Sequence, residues 1–180
     1  MKKTILKAEK LSKNFKSGTQ EQQIFLLDNM SILDNILVSG LLIKGDRKSI
    51  VVAAKELLNK VGLTEMIWRK FHNQLSGGEN QRAAIVRALI NEPRVVFVDE
   101  PTGALNSAAG TAVLDVLTNI NNEGQNIIMV THDLRSARRG NRIIYLKDGV
   151  INGECNLGKY VSGDADRHNK LKEFLTEMEW

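Results

Sequence analysis

An α/β fold with a largely parallel sheet is predicted by three observations. Strand-like and helix-like segments alternate after about residue 45, residues 94–98 and 126–130 are short apolar runs suited to buried strands, and a single amphipathic helical stretch lies between them. At 180 residues, 42% apolar and 26% charged, the chain is long enough for one domain around a substantial core. Residues 5–11 read as a short strand, and 31–43 and 47–60 carry helical apolar spacing, the second helix ending at Gly62. Ser76 opens a helix that runs to about Ile90 and stops before Pro93, and the strand at 94–98 meets a loop at Asp99. Asn106 is the N-cap of a helix through about Ile120, Gly124 closes it, and the strand at 126–130 completes a β-α-β unit. Residues 142–146 and 150–154 flank the hairpin turn Lys147-Asp148-Gly149. Residues 166–178 form an amphipathic helix whose Leu171, Phe174, Leu175 and Met178 dock onto its own domain.

The formal charge of +4 is modest, and Lys and Arg are interleaved with Asp and Glu, so no nucleic-acid partner is expected. The cluster Arg135, Arg138 and Arg139 reads as a solvated helix face. Lys7, Glu9 and Lys10 interrupt any signal-peptide stretch near the start, and no apolar run approaches the roughly 20 residues that cross a bilayer. Cytoplasmic residence follows, with membrane association through a partner. The single cysteine, Cys155, has no Cys or His at metal-ligand spacing and reads as a structurally incidental thiol.

Three segments carry chemistry. In Leu75-Ser76-Gly77-Gly78-Glu79-Asn80-Gln81-Arg82, a serine and two glycines at a helix start expose backbone N–H groups, a place for a phosphate. Val95-Val96-Phe97-Val98-Asp99-Glu100-Pro101 sets two carboxylates at a strand exit, where one can hold Mg²⁺ and the next can orient or activate water. Ile127-Ile128-Met129-Val130-Thr131-His132-Asp133 then brings His132 to another strand exit.

These motifs, in this order, resemble an ABC ATPase, a P-loop NTPase-like fold with a helical subdomain, here about residues 28–91 of a single domain spanning 1–180. The branch it is most similar to serves macrolides, lipoproteins and antimicrobial peptides. Leu75 to Gln81 resembles the family signature, Val95 to Glu100 the Walker B strand, Ala104-Leu105-Asn106 the D-loop and His132 the switch histidine. The resemblance implies that Asp99 positions Mg²⁺, Glu100 polarises water, His132 contacts the γ-phosphate, and Ser76, Gly77, Gly78 and Glu79 close over ATP held by a second subunit. It also makes Gln22, with Gln23 as the alternative, the metal- and water-contacting glutamine of the Q-loop. Phe15 is the aromatic that stacks on adenine, or else an edge-strand residue packed into the core. The implied cofactors are ATP and Mg²⁺. The implied partners are a transmembrane permease subunit and a second ATPase subunit, an intact homologue among the candidates, at the inner face of the cell membrane.

One part of the family pattern is missing. Only six residues separate Phe15 from Gln22, whereas a strand, a phosphate-gripping Gly-x-x-x-x-Gly-Lys-Ser/Thr loop and a helix need roughly 30. Gly153 to Lys159 has the glycine and lysine spacing but continues with Tyr160 in place of the small hydroxyl, after the histidine strand rather than before the Q-loop. The chain alone is therefore expected not to bind or hydrolyse ATP. The missing strand and helix should leave sheet neighbours unpaired and apolar surface uncovered. A noncatalytic regulatory subunit and a nonfunctional internal-deletion product are the alternatives. A nucleic-acid-associated ABC ATPase is weaker, for want of a second ATPase domain, a coiled-coil insertion or a basic stripe.

Overall fold

The computed structural model describes residues 26–44 and 46–179. They fall into two compact units that divide between Val130 and Thr131. The strand expected at 5–11, Phe15 and Gln22 lie outside the described residues.

The first unit begins with the helices α1 (Ile32–Lys44), α2 (Arg47–Lys60), α3 (Glu65–Trp68) and α4 (Gly77–Leu89). Apolar residues spaced three or four apart put Ile32 and Ile36, Ile50, Ala54 and Leu58, and Ala83, Val86 and Ile90 on facing stripes, and these side chains form one buried core. Asp46 caps α2 by accepting from the amides of Lys48 at 3.1 Å and Ser49 at 3.2 Å. Asn35, fully buried, fastens the segment before α1: its Oδ1 accepts from the Leu27 amide at 2.5 Å, and its Nδ2 donates to the carbonyls of Leu27, Met30 and Ser31. The short α3 is secured by a tertiary bond, the buried Trp68 Nε1 donating to the Leu63 carbonyl at 2.6 Å.

A β-α-β unit follows, made of β1 (Val95–Asp99), α5 (Ser107–Asn122) and β2 (Asn126–Val130). The strands pair in parallel from Val95 opposite Asn126 to Asp99 opposite Val130. Val96, Val98, Ile127 and Met129 turn to one face and pack with Val113, Leu117 and Ile120 of α5. Among the described residues this sheet has only two strands, and its opposite face is open: Phe97 is 69% exposed, Val130 43% and Ile128 40%. A parallel pair of this kind is normally covered on both sides. Because Phe97 contributes little to the packed side, Phe97→Ser is expected to change unfolding free energy by less than ~0.5 kcal/mol. It should also reduce self-association and binding of a hydrophobic dye, read by light scattering and fluorescence.

The second unit contains α6 (Leu134–Ala137), an antiparallel hairpin of β3 (Arg142–Lys147) and β4 (Val150–Asn156), and α7 (Ala165–Glu177). The two-residue hairpin loop puts Asp148 at φ 52° and Gly149 at φ 77°, the left-handed pair that matches the twist of the strands. Leu171, Phe174 and Leu175 of α7 pack with Cys155 of β4, bordered by Leu134, Ile143, Tyr145 and Met178. Cys155, expected to be incidental, is thus part of this core. Arg135 is exposed and paired with Asp133, in keeping with a solvated face, but Arg139 stacks on Tyr160 at 4.4 Å from the ring centre.

Candidate functional site

The turn at Ser76 is built by a reciprocal cap. The Ser76 Oγ accepts from the Glu79 amide at 3.4 Å, and Glu79 Oε2 accepts from the Ser76 amide at 2.8 Å and from the Ser76 hydroxyl at 2.7 Å. The Ser76 hydroxyl, followed by the Ser76 amide, holds the Glu79 carboxyl below its usual 4.5, with Lys70 and Arg82 adding smaller attractions. Ser76 and Gly77 are exposed at the start of the 13-residue α4, where the positive end of the helix lies. Both glycines pack closely against the segment that follows β1. A Cβ on Gly77 would come within 2.8 Å of Leu105, and one on Gly78 within 3.2 Å of the Ala109 Cβ, so the turn is seated against the D-loop-like segment and the first turn of α5. Asn106 caps that helix as expected, accepting from the Ala109 amide at 2.9 Å.

Asn80, which the sequence reading did not single out, anchors the segment ahead of the turn. It is 5% exposed, and its Nδ2 donates to the carbonyl of His72 at 2.9 Å and that of Leu75 at 3.5 Å. An Asn at the fourth helical position gives no sequence signal of its own, because only the tertiary path of residues 72–75 brings the two carbonyls to it.

The folded Glu79 carboxyl titrates below its unfolded value, so its contribution is complete above 4.5 and is lost as pH falls through the lowered folded value. Glu79→Ala should therefore lower unfolding free energy by about 1 kcal/mol at neutral pH. That difference from the parent chain should shrink on acidification through the carboxylate range, as urea unfolding at several pH values would show.

At the exit of β1, Asp99 is exposed and Glu100 half-buried. The Glu100 amide donates to the Val130 carbonyl at 2.9 Å, extending the ladder one step past the strand ends. Glu100 itself has φ 43°, a left-handed conformation that costs a residue with a side chain of order 1–3 kcal/mol. The ladder bond and the buried Pro101 and Thr102 that follow hold it there, with the Gly103 amide returning to the Glu100 carbonyl at 3.2 Å. Strain of this kind clusters at active sites, ligand clamps and switch regions. A Mg²⁺ ion beside one or two such carboxylates would take its other ligands from water and phosphate oxygens.

His132 belongs to the second unit and is exposed. Its neighbours on both sides are fixed: the Asp133 amide donates to Thr131 Oγ1 at 3.0 Å, and the Asp133 carboxylate caps α6 by accepting from the amides of Arg135 and Ser136 and from the Ser136 hydroxyl at 2.9 Å. Burial pushes the Asp133 carboxyl up, but the Ser136 hydroxyl and the two amides outweigh it and hold the group below its usual 3.8. The pattern Asp-x-x-Ser at 133–136 was the available signal for this cap.

The look-alike at Gly153 to Lys159 is no phosphate loop. Gly153 to Asn156 lie within β4, and the next helix opens only at Ala165. The structure places Ser76 to Glu79 at the start of α4, Asp99 at the end of β1 with Glu100 after it, and His132 just past β2, while Phe15 and Gln22 lie outside the described residues.

The sequence model of the ABC transporter family matches residues 2–103. Over 135 residues the chain is 42% identical to an ABC transporter ATP-binding protein of Methanocaldococcus jannaschii, covering 75% of this chain and 60% of that protein. It is 40% identical over 144 residues to the lipoprotein-releasing system ATP-binding protein LolD of Aquifex aeolicus, covering 80% and 64% of the two. With the macrolide export ATP-binding/permease protein MacB of Aggregatibacter actinomycetemcomitans it shares 41% identity over 136 residues, which is 76% of this chain and 21% of MacB. A solved ATP-binding cassette, dimeric in a post-hydrolysis state with ADP and Pi bound, superimposes with a TM-score of 0.63 at 36% identity, covering 77% of this chain and 62% of the cassette. The chain spans less than two thirds of the length of each of these relatives.

Proposed function

This chain belongs to the ABC transporter family, and from that premise we propose that it is the ATP-binding subunit of an export system, acting through a membrane permease and able to complete a nucleotide site only on a second cassette. Relatives named for macrolide export and lipoprotein release support the export reading. A dimeric cassette among the similar structures supports the pairing. The single observation that carries the mechanism is a complete, closely seated signature turn at Ser76 to Glu79 in a chain whose sequence has no Gly-x-x-x-x-Gly-Lys-Ser/Thr loop.

In this reading the residues present fit a phosphate at the signature turn but not a whole ATP in the chain's own site. The family's loop supplies several N–H donors and a lysine to the β- and γ-phosphates, and nothing in α4 can replace them. Ser76, Gly77 and Gly78 present the positive end of α4 to a phosphate gripped by the partner, and Glu79 keeps the turn in shape. Asp99 and Glu100, and separately His132, keep residue types suited to Mg²⁺, water and the γ-phosphate, and the resemblance adds Gln22 and Phe15, but the sequence offers no loop to cradle the phosphates of an ATP bound to this chain. Peripheral attachment at the inner face of the membrane follows from docking on the permease, since no described helix is long and apolar enough to cross a membrane.

Mixing the chain with an intact homologous cassette and counting trapped nucleotide tests this reading, with one nucleotide per mixed pair expected. Trapping of two would sink it. The bare face of the β1–β2 sheet, with Phe97 69% exposed, favours a second reading, a noncatalytic subunit or an internal-deletion product. Co-purification with a permease but no turnover would support the former, and failure to obtain a soluble folded chain the latter.

A further inference from the structure

Arg138, at the end of α6, is half-buried and lines a cavity of about 330 Å³ in the second unit, together with Tyr160, Val161, Asp164, His168 and Asn169. That volume lies at the lower end of the range for small-molecule sites. Among the described residues, the side chains of Arg138, His168 and Asn169 take part in no ion pair or hydrogen bond. Three donor side chains therefore border one space with nothing to donate to. The charge around the space is lopsided. Arg139 stacks on the Tyr160 ring at 4.4 Å from its centre, and the buried Arg167 lies 5.5 Å from the same ring. Arg167 is held by backbone carbonyls, so it brings a charge into the unit without a carboxylate bonded to it. Burial lowers its pKa most, and the neighbouring charge of Arg138 lowers it further against the attraction of Asp164. Asp164 is the one carboxylate that lines the cavity, and it is engaged with the Arg167 amide at 3.1 Å. Three guanidiniums against one carboxylate leave the cavity positive.

We propose that this cavity binds a phosphate monoester: the Arg138 guanidinium takes two of its oxygens, His168 and Asn169 donate to the others, and the organic group lies against Tyr160 and Val161. The planar fork of an arginine matches a pair of oxygens on one oxoanion, which a lone ammonium does not. A dianion suits the cavity better than a carboxylate, because its second charge offsets both the repulsion between Arg138 and Arg167 and the presence of Asp164. The site lies wholly in the unit that begins at Thr131 and uses neither the signature turn nor a second cassette, so it stands or falls apart from the proposed function.

The test is titration of the full chain with phenyl phosphate, followed through the imidazole resonances of its three histidines. His168 is expected to shift saturably while His72 stays in place. Arg138→Met should weaken binding about tenfold or more, the scale of a charge-assisted pair, and Arg138→Lys should recover only part of it. Occupancy should also slow thiol modification of Cys155, which is buried in the same unit, since a ligand of the folded state suppresses opening. That second readout serves His168→Ala, expected to weaken binding about threefold or more. If Arg138→Met opens the unit, Cys155 reacts faster before any probe is added, and His168→Ala, at an exposed position, then decides. Sedimentation with phosphatidic acid vesicles but not with phosphatidylcholine vesicles, lost in the variants, would assign the monoester to a lipid headgroup. Phenyl phosphate binding without sedimentation would assign it to a soluble molecule. No saturable shift of His168, or unchanged affinity in both Arg138→Met and His168→Ala, would overturn the site.

Discussion

Ser76→Arg in this chain is expected to lower ATP turnover of a mixed pair with an intact cassette by about a hundredfold or more, the usual scale for removing aligned donors from a developing phosphate charge. The replacement of the corresponding serine in the intact partner should leave turnover within about twofold, because that signature faces the site lacking a phosphate loop. The arginine would crowd a turn whose glycine lies against Leu105, and it would remove a hydroxyl that the turn presents at the head of α4. Ser76 is exposed, so the expected loss of fold stability is only that of an N-cap, about 1 kcal/mol. A steady-state ATPase assay on both mixed pairs reads the asymmetry. Equal losses from the two replacements would mean that both sites work.

Arg167→Met is expected to have the largest effect on stability, about 3 kcal/mol or more in the unit that begins at Thr131. Arg167 is 3% exposed and sits one turn into α7. Its Nε donates to the Arg138 carbonyl at 2.6 Å, Nη2 donates to the Gly140 carbonyl, and Nη1 reaches the carbonyls of Leu157 at 2.9 Å, Gly158 at 3.1 Å and Lys159 at 3.4 Å. One guanidinium thus ties α7 to the end of α6 and to the chain leaving β4. Burial lowers the Arg167 pKa, but an arginine keeps its proton, and the carbonyls it meets replace the lost water. Methionine would fill much of the volume and leave those carbonyls without a donor. The single cysteine is the reporter, since Cys155 is buried in the core that α7 covers. A loss of 3 kcal/mol corresponds to roughly a hundredfold faster modification by a thiol reagent through local opening. Lysine, which has one nitrogen and no fork, should recover only part of it.

The elements that were legible in the sequence are those whose own residues suffice to form them. The α2 and β2 boundaries, at Arg47–Lys60 and Asn126–Val130, coincide with the expected ones, because a helical stripe and a short apolar run were each bounded by turn or cap residues. The caps at Ser76 and Asn106 were readable for the same local reason. What was not legible depends on distant partners. The strained backbone of Glu100 follows from its ladder bond to Val130, thirty residues on in sequence, which no local pattern announces. Arg167 looked like one more polar position on an amphipathic helix, and only the assembled loops make it the hub of its unit. The motif order, by contrast, was plain enough to indicate the family, because the signature and Walker B segments are contiguous and carry their residues undivided.

The proposed function requires that a chain which keeps the signature, and whose sequence has no Gly-x-x-x-x-Gly-Lys-Ser/Thr loop, holds no nucleotide unaided. It is tested most directly by thermal unfolding of the purified chain with and without Mg-ATP, since any ligand that binds the folded state must raise its apparent stability. A cooperative transition is expected, with the same midpoint with and without millimolar nucleotide. A clear upward shift on adding Mg-ATP would contradict it and show that the chain holds nucleotide unaided.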